Sequence, residues 1–259
     1  MLEQALIVAG GYGKRMRNLT ANKPKCLIEI DGHPILKYQL DCLTNFEKVI
    51  ISVNQHSGKV IEQYVQSAYP RLNCVFSYAE PKGVAYGIYS AINAIDTKKS
   101  ILITVADVIC FDGYQSLVDS LQNLDFALGV TANRPIYDKT YSQVFIDCQG
   151  HLQVSPRLLS PPTSFLVGVY ALNHAELFWQ YLAQSIQMVK LGIMPHSLAI
   201  KRGIIGCNNE FRLSHIFSYL SQQDYKCDLI NIGDCCEINH PQDIAIAALK
   251  AKSNSAKQS

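Results

Sequence analysis

The chain has 259 residues, a formal net charge of +2 and 17% charged side chains, enough for one α/β unit with a substantial core. A balance so near neutrality gives no global signature of a nucleic-acid or membrane partner, so basic residues carry information only where they cluster. Nine cysteines, scattered without a C-x-x-C pair, fit reduced thiols in a cytoplasmic protein, and no stretch approaches the roughly 18 apolar residues of a membrane span.

The predicted elements begin with "ALIVA" (Ala5 to Ala9), a short apolar run that breaks into "GGYGKR". Four more β-branched, apolar runs follow: "KVIISVN" from Lys48, "NCVFSYA" from Asn73, "SILITVA" from Ser100 and "FALGVTA" from Phe126. They read as buried parallel strands. Between them, "PILKYQLDCL" (Pro34 to Leu43), "GKVIEQYVQSAY" (Gly58 to Tyr69) and "VAYGIYSAINAI" (Val84 to Ile95) have helical spacing. Alternation of this kind implies right-handed crossovers and a doubly wound sheet. After Ala132, "YSQVFIDCQGHLQVSP" reads as a hairpin around Gln149-Gly150, and "SFLVGVYAL" (Ser164 to Leu172) as a strand. Helical patterns at Ala175 to Val189, Glu210 to Gln223 and Pro241 to Ala251 complete the chain, and the polar 252–259 segment is expected to fray. The expectation is an α/β, Rossmann-like, doubly wound mixed sheet, mostly parallel, forming one unit over 1–251. Residues 1–132 would be its first half, and 133–251 a hairpin-containing second half folded over the first as a lid.

The glycine loop follows a strand, where bare backbone N–H groups can approach a phosphate. Spacing excludes two familiar phosphate motifs. The dinucleotide fingerprint needs a third glycine where Met16 stands, and a P-loop needs Ser or Thr after Lys14 and glycine at Val8. What fits is G-G-x-G-x-R followed by K-P-K. In this respect the chain resembles the nucleotidyltransferases that activate sugar 1-phosphates, whose opening G-x-G-x-R-x-x-x-L-T…P-K-x-L-x-x-I-x-G-x-P-x-L is matched by Gly11, Gly13, Arg15, Leu19, Thr20, Pro24, Lys25, Leu27, Ile30, Gly32, Pro34 and Leu36.

The resemblance implies transfer of NMP from an NTP to a sugar 1-phosphate, with release of pyrophosphate. The attacking phosphate oxygen is already anionic, so the demand is for fixed cations, N–H donors and Mg²⁺ (or Mn²⁺) rather than a general base. It assigns catalytic roles to Arg15 and Lys25, the latter also meeting the acceptor phosphate. Nucleotide contacts are assigned to Ala9, Gly10, Gly11 and Gly13. "EPKGVAYG" resembles the family's base-binding E-P-x-G-T-A turn and adds Glu80, Gly83 and Ala85, with Tyr78 where a base-contacting glutamine is common. Asp107, at the carboxyl end of "ILITVAD", matches the metal aspartate, and "CEINHPQDI" supplies Glu237 as the second metal ligand, with Asn239 two residues later and Asp243 capping or preceding the last helix.

Arg157 and Gly168 complete the expected acceptor site, with Arg157 standing in for a lysine that sugar-specific members carry after the hairpin. That missing lysine and the Glu-x-Asn segment, similar to the Glu-x-Asp of phosphocholine cytidylyltransferases, support a second reading: cytidylyl transfer to phosphocholine or another small phosphorylated metabolite. A third, of another class, is a regulatory domain that binds nucleotide without turnover; Arg15, Lys25 and Asp107 together argue against it. His196, His215 and His240 show no ligand spacing and are assigned to structure. The expected partners are an NTP and a phosphorylated small molecule, with no nucleic acid or membrane, and a homo-oligomeric state stays open.

Overall fold

The computed structural model describes residues 3–132, 143–155, 164–173, 175–195, 197, 211–223 and 225–258. Strand β1 (Gln4–Val8) leads through the glycine loop and two 3₁₀ turns to a short antiparallel pair, β2 (Glu29–Ile30) and β3 (His33–Pro34), and then α1 (Ile35–Asp41). β4 (Lys48–Val53), α2 (Gly58–Ala68), β5 (Cys74–Tyr78), α3 (Val84–Ser90) and β6 (Ile101–Val105) continue the alternation. A two-residue turn, Ala106-Asp107, separates β6 from β7 (Val108–Cys110), which is followed by α4 (Gln115–Ser120) and β8 (Phe126–Thr131). The second half contains the hairpin β9 (Gln143–Ile146) and β10 (Leu152–Ser155), then β11 (Ser164–Leu172), α5 (Glu176–Lys190), α6 (Ser214–Ser221), β12 (Cys227–Asn231), β13 (Cys235–Glu237) and α7 (Pro241–Gln258).

β1 is the axis of the main sheet. It pairs in parallel with β4 on one side (Ala5 opposite Val49) and with β6 on the other (Ala5 opposite Leu102), and β5 follows β4 at the edge. Alternation along β1 divides the core. Leu6 faces one layer with Ile88, Phe178, Trp179 and Phe217 from α3, α5 and α6, while Ala5 and Ile7 face Leu36, Leu40, Ile61 and Leu117 from α1, α2 and α4. The chain runs outward from β1 to β5, then returns to the far side of β1 as β6. The loops after β1 and β6 therefore open at one carboxyl edge where the strand order reverses, the usual position of a ligand crevice in such sheets.

Three expectations need correction. Phe126 to Ala132 forms a strand, but its neighbours are β11, antiparallel, and β12, parallel; β11 lies between it and β6. β5 is half-buried from Cys74 to Ser77 and exposed at Tyr78, because it is an edge strand. The polar end of the chain, expected to be irregular, is helical as far as it is described: α7 runs on through Gln258, with Asn254 Nδ2 donating to the Phe111 carbonyl at 3.1 Å and Ala251 buried against the body.

Gly168 breaks the register of β11. Below it Ser164 and Phe165 pair with β9; above it Val169–Leu172 pair with β6. Its φ of +75° suits glycine, and a Cβ would lie 2.5 Å from Val105 Cγ2. This bend carries the sheet past the end of β6, where Asp107 follows.

Candidate active site

Five polar side chains from three distant segments converge at the edge beyond β1 and β6. Lys25, held after Pro24 at the start of a 3₁₀ turn, donates from Nζ to Asp107 Oδ2 at 2.6 Å, with both side chains mostly shielded from solvent. Arg15 donates from Nη2 to Asn239 Oδ1 at 2.6 Å, and Lys25 Nζ reaches the same oxygen at 3.5 Å. Asn239 Nδ2 in turn donates to Glu237 Oε1 at 2.5 Å.

The backbone explains why residues 15, 25, 107, 237 and 239 meet. β13 pairs antiparallel with β7, placing Glu237 opposite Val108, and the Ile238 N–H donates to the Asp107 carbonyl at 2.8 Å. The two acidic residues are thus carried by one short ribbon at the mouth of β6. Asp243, in the first turn of α7, accepts the Asn239 and His240 N–H groups at 2.7 and 2.6 Å, capping the helix that Pro241 begins and fixing the Glu237–Asn239 stretch. On the other side, Gly13 turns the loop at φ +63°, the Thr20 hydroxyl donates to its carbonyl at 3.0 Å, and a Cβ there would crowd Thr20 Cγ2 at 2.9 Å and Lys25 Cβ at 3.0 Å. A glycine at this position lets the loop fold back so that Arg15 and Lys25 reach the same oxygen.

The remaining described residues expected at the site lie apart from this cluster. Gly10 and Gly11 lead into the loop. The Gly10 carbonyl is anchored by Asn54 Nδ2 at 2.9 Å, while a Cβ on Gly11 would enter open space. The Ala9 N–H is committed to Ser52 O at 2.7 Å and Ala9 is buried, so its N–H is not turned toward a ligand. Tyr78 is directed away from the cluster, its ring against Gly58 and its hydroxyl donating to Glu62 Oε2 at 3.1 Å on α2. Glu80 pairs with Lys82 at 2.5 Å on the surface, Gly83 precedes α3, and Ala85 is packed in the core. Gly168 enters the region through backbone shape, and Arg157 and His196 lie outside the described residues. His240 contributes its N–H to the α7 cap, and His215, half-buried on α6, has its Nε2 3.4 Å from Ser185 Oγ of α5.

Electrostatics distinguish the cluster from its apolar surroundings. Burial pushes the neighbouring Cys26 thiol up to about 12, an effect the Asp107 charge reinforces, so this cysteine is an inert core residue. Burial raises the Tyr170 hydroxyl as well, and the Glu237 charge adds to it. Among the described residues no group of three or more His, Cys, Asp and Glu side chains is arranged to hold a metal ion. The cluster has instead two carboxylates, an amide and two cations. A cleft of about 320 Å³ is lined by Gly11, Tyr12, Thr20, Lys23, Asn54 and His56 among others, none of them one of the five clustered residues.

Sequence comparison places this geometry in context. The family model described as nucleotidyl transferase matches residues 4–140, more than half of the chain. This chain belongs to the nucleotidyl transferase family. Family members to which it is similar include a UTP–glucose-1-phosphate uridylyltransferase of Haloferax volcanii, 33% identical over 96 residues that cover 36% of this chain and 39% of the relative. The mannose-1-phosphate guanylyltransferase catalytic subunit beta of Drosophila pseudoobscura pseudoobscura is 27% identical over 184 residues, 67% of this chain and 49% of the relative. The chain thus spans less than half the length of either. A CTP:phosphoglutamine cytidylyltransferase of Campylobacter jejuni is 22% identical over 93% of this chain and 98% of its own. Among solved structures, the inositol-1-phosphate CTP transferase from T. maritima aligns with a TM-score of 0.71 at 17% identity, covering 97% of this chain and 96% of that one, and shows the shared fold.

Proposed function

We propose that this chain transfers NMP from an NTP to a sugar 1-phosphate at the Arg15–Lys25–Asp107–Glu237 cluster. The observation that carries the reading is the pair of cations, Arg15 and Lys25, brought to one amide oxygen at the reversal point of the sheet. Two fixed cations side by side suit two phosphorylated substrates, one at each.

In the proposed reaction, an oxygen of the acceptor phosphate attacks the α-phosphorus in line and pyrophosphate leaves. Arg15, always charged and planar, holds the triphosphate and meets charge accumulating on its oxygens. Lys25 passes from its resting contact with Asp107 to the acceptor phosphate. Gly10, Gly11 and Gly13 keep side chains out of the path of the phosphates. No residue is required to remove a proton from the nucleophile, because a phosphate monoester is anionic near neutral pH.

The donor set also fits Mg²⁺. Asp107 and Glu237 are hard oxygen ligands, few in number, as suits an ion that keeps water and takes substrate phosphate oxygens for the rest of its shell. Bound there, the ion would offset the charge of the triphosphate and departing pyrophosphate.

A second reading, cytidylyl transfer to another small phosphorylated metabolite, is favoured by the relative that matches end to end, a CTP:phosphoglutamine cytidylyltransferase, and by the Glu237-x-Asn239 segment. A panel of the four ribonucleoside triphosphates and dTTP against sugar 1-phosphates, phosphocholine and other phosphomonoesters, read as pyrophosphate release, separates the two. Release confined to sugar 1-phosphates supports the first. Release with CTP and a non-sugar acceptor alone supports the second, and no acceptor-dependent release from any pair refutes both.

A further inference from the structure

Two cysteines face each other across the short ribbon that carries Asp107 and Glu237. β7 and β13 pair antiparallel with Cys110 opposite Cys235, Ile109 opposite Cys236 and Val108 opposite Glu237. The Ile238 N–H donates to the Asp107 carbonyl at 2.8 Å, and the Phe111 N–H to the Asp234 carbonyl at 2.9 Å. These bonds bracket the ribbon, and the alternation of an antiparallel ladder then makes Cys110–Cys235 a non-hydrogen-bonded pair, in which Cα atoms approach to about 4.5 Å and side chains lie closest. A disulfide spans Cα separations of about 4.4–6.8 Å.

Packing agrees with the register. Cys110 belongs to the apolar layer of Leu36, Leu40 and Leu117, and Cys235 packs against the same layer; Ile109 and Cys236 face the other way, toward Met16, Ile30 and Ile238. Burial raises the Cys110 thiol, and Cys235, Cys42 and Asp112 add to the shift, as groups at close range do. Both cysteines are reduced; Cys110 is buried and Cys235 half-buried, so a small oxidant meets Cys235 first.

We propose that Cys110 and Cys235 are an oxidisable pair, a modification site at which a peroxide closes a disulfide that fastens β13 to β7. Hydrogen peroxide takes the Cys235 thiol to a sulfenic acid with loss of one water. The Cys110 sulfur then attacks the sulfenic sulfur: the S–S bond forms, the S–O bond breaks, and the hydroxyl leaves with the thiol hydrogen as a second water. Two thiols lose two electrons, and one peroxide is reduced to two waters. A dithiol reverses the step by exchange. The bond ties down the strand two residues before Glu237 and closes a loop of about 125 residues, long enough to remove much of the freedom of the unfolded chain.

The test treats the native protein with hydrogen peroxide, blocks the remaining thiols with N-ethylmaleimide, and maps unreduced proteolytic peptides by mass spectrometry. The expected main linked product joins Cys110 to Cys235, is two hydrogens lighter than its parts and is released by dithiothreitol. The oxidised protein should melt roughly 5 °C or more above the reduced one. Cys42→Ser should leave both results unchanged, and Cys235→Ser should remove both. Linkage of Cys110 to Cys42 instead, oxidation that stops at unlinked sulfenic or sulfinic acids, no oxidation of either thiol, or a linked protein that melts no higher than the reduced one overturns the proposal. Should Cys235→Ser not fold, the peptide map and melt of the wild type decide. Neither readout involves turnover, so the outcome is independent of the proposed reaction.

Discussion

Replacing Gly168 by alanine isolates the backbone feature that lets β11 turn past the active-site edge. The residue sits at φ +75°, where a Cβ costs about 1–2 kcal/mol through its contact with the backbone. The new carbon would also lie 2.5 Å from Val105 Cγ2, and relieving such an overlap in a packed strand costs a further ~1–3 kcal/mol. The total, about 2–5 kcal/mol, corresponds to a fall in melting temperature of roughly 5–15 °C for a chain of this size. Gly150, in the hairpin, is the internal control: its φ is +84° and nothing lies within 4 Å of a Cβ, so Gly150→Ala should cost only the backbone part, about 1–2 kcal/mol. Urea and thermal melts of both variants give the difference. Adding Val105→Ala to Gly168→Ala should recover part of the excess, a coupling read from the double-mutant cycle. Gly168→Ala no less stable than Gly150→Ala, or no coupling to Val105, refutes the reasoning.

Arg15→Ala should reduce kcat by on the order of 10²-fold or more with the melting temperature unchanged, since it removes a preorganised donor to the transition state. Lys25→Ala should show most of its effect in the acceptor KM; unchanged acceptor KM and kcat would remove its role. Activity should vanish with a chelator and return with Mg²⁺ or Mn²⁺. Asp107→Asn and Glu237→Gln should each abolish most turnover and be far from additive, measured as kcat/KM of the single and double variants, because one ion shared by both is already lost in either. Burial lowers the His215 pKa to about 4, so between about pH 6.5 and 4 the unfolded chain binds a proton that the folded one does not. Stability should therefore fall as pH drops through that window, by at most ~1.4 kcal/mol per pH unit. Denaturant titrations at pH 5 and 7 should show a smaller difference for His215→Gln, and an unchanged difference would contradict the assignment.

The strands of the first half are legible because each is a continuous apolar, β-branched run, a pattern that follows from burial. Their neighbours are not, since insertion of β11 between β6 and β8 depends on the bend at Gly168, and no local signal encodes a partner 34 to 71 residues away. β12 eluded the pattern because its half-buried "CDLIN" mixes a charge with apolar residues, and β7 and β13 because three residues carry no periodicity. At the site, Arg15, Lys25, Asp107 and Glu237 stand out through motif spacing, and the structure gathers all four around Asn239. The placement of Tyr78 is not legible in the same way, because its position does not fix the face on which its side chain emerges; here its ring lies against Gly58 and its hydroxyl donates to Glu62 of α2. Asn239 as a hub is invisible in sequence, since its partners Arg15 and Lys25 are more than 200 positions distant and meet it only through the β7–β13 pairing.

The central claim is that nucleotidyl transfer takes place at the Arg15–Lys25–Asp107–Glu237 cluster. Its most direct test uses NTP labelled at the α-phosphate, incubated with the best phosphorylated acceptor of the panel and followed for both label transfer and pyrophosphate release. The account predicts label joined to the acceptor in amounts equal to the pyrophosphate released, with both rates at least 10²-fold lower in Arg15→Ala and in Asp107→Asn. Pyrophosphate released with the label left in free NMP, or transfer at the wild-type rate by either variant, would contradict it.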